Sequence, residues 1–237
     1  MRNFAKGVSP ETVSTLELLV NKKTSRRAYG AAFYRLGQLL AERLSNVDLG
    51  KKVLLVCTSE DADFLARGLF ESIKKPTQSN RSSVAFACLW QERFDPVPNG
   101  MNRKRFEVAP IIKRYEEPIE DNIDSLIVVK SIIASSCVVR HALLDTVDRK
   151  HPKRIYVVSP VIARGASESL KAEFPRKVAS LFKFIYFAED DSPDADGMVW
   201  PGIGGNVYQR LPLSKSQGIP IPKIVVERRT RLVEVLV

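Results

Sequence analysis

Five short apolar runs alternate with helical segments along this chain, and that alternation constrains its fold more than any other feature. "KVLLVCTS" (52–59), "VAFACLW" (84–90), "DSLIVVK" (124–130), "KRIYVVSPVI" (153–162) and "FKFIYFAE" (182–189) are nearly continuous in Val, Ile, Leu and Phe. Strands apolar on both faces belong to sheets covered on both sides. Between them, residues 27–45 place Phe33, Leu36, Leu40 and Leu44 at helical spacing, as do segments 60–74, 136–147 and 163–175. Residues 11–21 carry a further short apolar run, and Ile111 to Tyr115 a short extended segment. Strands separated by helices imply parallel pairing and right-handed crossovers, hence a doubly wound α/β fold.

Ligands in such sheets sit beyond the carboxyl ends of the strands. Three segments leave strands there: "CTSEDAD" (57–63), "KSIIASSC" (130–137) and "EDDSPDADGMVWPGIGGN" (189–206). The second is a strand, polar loop and helix, a shape that can cradle a phosphate, yet its loop holds no glycine and no acid. The 37 Lys and Arg residues against 27 acids give a formal net charge of +10. That balance attracts polyanions, so nucleic acid enters as a partner alongside the plain reading of a solvated basic surface. Basic clusters at 22–27, 149–154 and 227–231 have no interleaved aromatics, so base stacking has no support.

Cys57, Cys88 and Cys137 are odd in number and widely spaced. They disfavour a disulfide framework or a zinc site and point to a cytoplasmic setting. No metal site is expected from the residues. No apolar run has the length of a membrane span, and "MRNFAKGVSPETV" lacks the apolar core of a signal peptide.

Four segments, in order, resemble uracil phosphoribosyltransferases. "GMVWPGIGGNVYQR" (197–210) is similar to that family's "GYIVPGLGDAGDR". "NKKTSRRAYGAAFYRLGQLLAERL" (21–44) resembles its early "RDKxT…FR…LGxLLAYEA" region. "RYEEPIED" (114–121) resembles "YYxKLPxDI", and "LIVVKSIIASSC" (126–137) falls where the family has "VLLVDPMLATGGS". The resemblance implies a type I phosphoribosyltransferase fold, a mostly parallel sheet with a small β-rich flap or hood, over residues 1–213. Residues 214–237 form a C-terminal extension beyond it. It also implies a dimer and, for an active enzyme, transfer of ribose 5-phosphate from phosphoribosyl pyrophosphate (PRPP) to a base with Mg²⁺.

Carried over residue by residue, the resemblance exposes substitutions. In the PRPP loop, Lys130 stands where the family has an acid that accepts from the ribose hydroxyls. Ser131 and Ala134 follow, Ser135 matches the threonine, and Ser136 and Cys137 replace the glycines. A lysine cannot accept hydrogen bonds from a diol. In the pyrophosphate loop, Ser59, Glu60 and Asp61 stand where the family presents an arginine and a glycine. Glu60, Asp61 and the nearby Asp63 are expected to face solvent at a helix start, with Mg²⁺ binding as the alternative. The base-binding turn, Val199, Trp200, Pro201 and Gly202, is kept, and its plain alternative is a structural turn with Trp200 packed on the sheet. Arg93 matches an arginine after the second strand and is a further phosphate candidate.

Three functions follow from these residues: a non-catalytic or repurposed nucleotide- or anion-binding component of a larger assembly, an active uracil-type phosphoribosyltransferase, or a nucleic-acid-associated subunit. No cofactor is required by the first. The tail "IPIPKIVVERRTRLVEVLV" is β-prone and ends in an apolar run. It is expected to act as a docking strand on a sheet edge of this chain, a second copy or another protein.

Overall fold

Val53 to Cys57 are buried on both sides of the strand that carries them, which requires a layer of helices on each face of the sheet. The computed structural model of the chain describes residues 1–73, 83–92, 109–134, 137–194, 198–211 and 221–236. Its elements are β1 (Asn3–Phe4), α1 (Pro10–Val20), α2 (Arg26–Leu44), β2 (Lys52–Thr58), a π-helical turn (Ala62–Ala66) running into α3 (Arg67–Ile73), and β3 (Ser83–Gln91). There follow β4 (Ile111–Glu116), β5 (Ser125–Val129), β6 (Ile132–Ile133), α4 (Cys137–Lys150), β7 (Arg154–Val158), β8 (Val161–Ala163), α5 (Ala166–Ala172) and α6 (Arg176–Ala179). The chain closes with β9 (Phe182–Ile185), β10 (Ala188–Asp190), α7 (Val207–Arg210) and α8 (Lys223–Leu236).

The main sheet runs β4-β3-β2-β5-β7-β9. All its pairs are parallel except the edge strand β4, which lies antiparallel to β3. Alternate residues of β2 face opposite cores. Val53, Leu55 and Cys57 pack with Leu36 and Leu40 of α2 and Leu69 of α3. Leu54 and Val56 pack with Val139 and Leu143 of α4 and Leu170 of α5. The doubly wound α/β architecture expected from the strand pattern is therefore the observed one. Cys57 and Cys88 are free, buried and in register across β2 and β3.

Two expected strands are each divided in two. The 153–162 run breaks after Val158, and Val161–Ala163 joins a second sheet of order β1-β10-β8-β6. Pro160 has no amide to donate to a ladder, while its carbonyl accepts from Phe187 and Ala188 at 3.1 and 3.2 Å. The 182–189 run breaks in the same way before β10. This second sheet stands at the carboxyl end of the first and carries the loops of the site.

The expected docking strand is corrected to a helix, α8. Its β-branched residues favour strand locally, but tertiary contacts override that preference. Ile224 and Val225 are buried in the α2 core. The amides of Lys223 and Ile224 donate to Asp63, each at 2.9 Å, which supplies the missing N-terminal cap. Arg228 forks onto the buried Glu117, with Nη2 to Oε2 at 2.8 Å.

Helices α2 and α3 touch through glycine. A Cβ on Gly68 would fall inside the envelope of the Tyr34 carbonyl oxygen, and one on Gly37 inside that of Leu65. Gly68→Ala gains about 1 kcal/mol of helix propensity. The backbone clash outweighs it, since overpacking of this kind costs about 1–3 kcal/mol or more. A net loss of stability in thermal unfolding is the expected result, and an unchanged or raised midpoint would show that the helices can part without penalty.

Candidate ligand cleft

Lys130 leaves the end of β5 with its amide donating to Val158 at 3.0 Å, so the backbone there is fixed by the sheet. The residue is 5% exposed. The ammonium donates to Asp61 Oδ2 at 2.8 Å and to the Glu60 carboxylate, with Thr58 Oγ1 at 3.4 Å. The Thr58 hydroxyl donates to the same Asp61 oxygen at 2.8 Å. Asp61 is 2% exposed, so the expectation of solvated acids at a helix start is corrected. A buried ammonium that cannot be hydrated needs carboxylate partners, and the loop after β2 supplies two.

Burial pushes the Asp61 carboxyl up to about 6, against the pull of the Thr58 hydroxyl. Burial also pushes the Lys130 ammonium down to about 7. Both shifts favour neutral groups, and the close contact between the two opposes them. Ser131 stands close enough to Asp61 to hold its pKa down, yet Ser131 Oγ has no well-formed hydrogen bond.

Above this cluster lies a cleft of about 420 Å³. All three segments expected at the strand ends contribute to it. Ser59, Glu60, Lys130, Ser131, Ala134 and Val199 line it. Asp61 lies beneath the loop and steers Lys130. Trp200 does not enter the cleft and is not packed on the sheet. It is 54% exposed, and its indole N–H donates to Asp194 at 3.0 Å. Pro201 and Gly202 shape the turn without lining the cleft. Ser135, Ser136 and Arg93 lie outside the described residues. Cys137 opens α4, and its side chain lies outside them too.

The turn is held from below by a residue that sequence reasoning missed. Asp190 is fully buried and accepts from Gly202 N at 2.8 Å and from Arg2 Nε and Nη2 at 2.9 and 2.7 Å. Gly202 has φ +56°, and a Cβ there would meet the Val199 carbonyl, so glycine is required. Tyr29 of α2 ties the other end, its hydroxyl donating to Ile203 O at 2.8 Å. Gln91, Glu92, Ile203 and Val207 also line the cleft and were not anticipated. Gln91 could have been found as the last residue of β3, beside the end of β2.

Charge in the cleft is inverted relative to a phosphate site. Among the described lining residues Lys130 is the sole cation, and Glu60 and Asp61 already neutralise it. The exposed Glu92 adds a further negative charge. Magnesium, which the resemblance brings with PRPP, would need carboxylates free to take it. Glu60 and Asp61 are committed to Lys130, so the residues present do not fit it. Among the described residues no group of three or more His, Cys, Asp or Glu could hold a metal ion, and no helix is long and apolar enough to cross a membrane.

No protein-family model matches the sequence, and no curated protein matches it significantly. Solved structures do match the fold. The AQ2163 protein from Aquifex aeolicus superposes with a TM-score of 0.66 at 15% identity, covering 88% of this chain and 97% of that one. The adenine phosphoribosyltransferase from Trypanosoma brucei, solved with AMP, pyrophosphate and ribose-5-phosphate, gives 0.51 at 10% identity, covering 96% and 95%. Identities this low speak to architecture alone, and on that ground the chain has the type I phosphoribosyltransferase fold.

Proposed function

We propose that this chain is a phosphoribosyltransferase-fold protein that no longer transfers phosphoribosyl groups and serves as a ligand-binding component of a larger assembly. The observation that carries this reading is the buried cluster of Lys130, Asp61 and Glu60. It occupies the two loops that the resemblance assigns to ribose and pyrophosphate. A ribose diol needs an acceptor there, and the Lys130 ammonium only donates. A pyrophosphate needs cations there, and it meets carboxylates.

The alternative is an active uracil-type enzyme, supported by the retained turn at Val199–Gly202. The full chain with PRPP, Mg²⁺ and uracil is expected to release no pyrophosphate. Lys130→Asp alone is expected to release none either, because Glu60 and Asp61 still stand in the pyrophosphate loop where cations are needed. Steady pyrophosphate release by the natural chain would overturn the reading. The assembly partner is a second copy or another protein, and the outer face of α8, where Val226 is exposed, is the surface offered to it. Nucleic acid is the alternative partner that the +10 charge supports. Binding that weakens steeply with salt would identify it.

A further inference from the structure

We infer that the cleft takes a small organic cation, an amidinium or ammonium carried on an apolar body, in place of an anionic sugar phosphate. This rests on the reading above that the cleft is not a PRPP site, and it names the class of ligand that replaces PRPP. Three observations lead to it.

The first is the orientation of Gln91. Its Nε2 donates to Ala109 O at 3.1 Å and Val138 O at 3.2 Å. Turning the amide over would set oxygen against two carbonyls, so the assignment is chemically fixed. The remaining atom, Oε1, is buried and has no hydrogen-bond partner. It can be satisfied only by a donor. The second is Ser131, which is 1% exposed, lines the cleft, and has an Oγ without a well-formed hydrogen bond. A buried polar atom left unpaired costs about 1–3 kcal/mol, which a ligand bearing the matching group recovers.

The third is charge and surface. Lys130 is spent on Glu60 and Asp61, and the exposed Glu92 has no further cation among the described lining residues to balance it. An anion entering the cleft would place acceptors against Gln91 Oε1 and a negative charge near Glu60 and Glu92. A cation reverses both terms. Ile132, Val138, Val199, Ile203 and Val207 also line the cleft, and this apolar surface suits a flat hydrocarbon body.

Three probes of one shape separate the terms: benzamidine, benzamide and benzoate, differing only in a cationic, neutral or anionic head. Calorimetric titration of the full chain is expected to show saturable binding of benzamidine, about tenfold weaker binding of benzamide, and none of benzoate, since a hydrogen bond to a charged group contributes about 1.5–3 kcal/mol. Gln91→Leu and Glu92→Gln are each expected to weaken benzamidine about tenfold or more. Glu92 is exposed, so the second variant keeps its unfolding midpoint and reads binding alone. Benzoate binding as tightly as benzamidine, benzamidine indifferent to both variants, or silence toward benzamidine would each overturn the inference. A parallel titration with PRPP and Mg²⁺ keeps the two claims apart. PRPP binding defeats the proposed function, whereas silence toward both PRPP and benzamidine defeats only the cation.

Discussion

Lys130→Met is expected to lower the unfolding free energy by about 3–5 kcal/mol, because it strands a buried carboxylate without its partner. Asp61 is almost fully enclosed, its remaining neighbours Thr58 and Ser131 are neutral, and no other ammonium lies within reach among the described contacts. Burial already pushes its carboxyl up to about 6 with the lysine in place. The double variant Lys130→Met/Asp61→Leu removes both charges and should recover most or all of the loss. Buried ion pairs exchanged for apolar residues of similar volume are often neutral, or stabilising by about 1–4 kcal/mol. Urea denaturation of the natural chain, the single variant and the double variant tests this. A single variant as stable as the natural chain would mean that Lys130 is hydrated and unpaired. A double variant no better than the single would mean that the loss comes from packing.

The second large effect is expected at Asp190→Ala. That change leaves the Gly202 amide without its acceptor and the Arg2 guanidinium with the Gly202 carbonyl but no carboxylate, at a site where Asp190 is fully buried and the Arg2 side chain nearly so. About 3–5 kcal/mol is again the expected loss, for the same reason of an uncompensated buried charge. The neighbouring Asp191 supplies the control. It pairs with the N-terminal ammonium in the open, and Asp191→Ala should leave the unfolding midpoint almost unchanged. The two variants also differ at the cleft. Asp190 holds the Gly202 amide and, through Arg2, its carbonyl, so its removal should loosen the Val199–Ile203 turn and raise hydrogen exchange there. Equal effects of the two aspartates would show that the turn is held by other means.

The doubly wound sheet was legible because its strands are buried on both faces, and continuous apolar runs such as Val53–Cys57 have few other uses. The strand ends were legible as the place where the three loops meet, and the cleft lies there. What was not legible depends on partners far apart in the chain. Helix α8 needs Asp63, 160 residues before Lys223, for its cap, and Glu117, 111 residues away, for Arg228. Local propensity alone predicts a strand in its place. The Lys130–Asp61 pair spans 69 residues. A signal for it was nonetheless present. Where the resemblance leads one to expect an acid at 130 and an arginine near 60, the chain carries a lysine and two acids, and reversed charges in two loops of one site are what a pair requires. Taken separately, each substitution suggested a loss, and only together do they describe an exchange. Asp190 gave no such signal, since its partners are a backbone amide and an arginine at the other end of the chain.

Lys130 is committed to Asp61 and Glu60, and we propose that this closes the cleft to a sugar diphosphate. Calorimetric titration of the full chain with PRPP in the presence of Mg²⁺ tests that most directly. No saturable heat is predicted at millimolar donor, for the natural chain and for Lys130→Met alike. Saturable binding in the micromolar range, abolished by Lys130→Met, would contradict it.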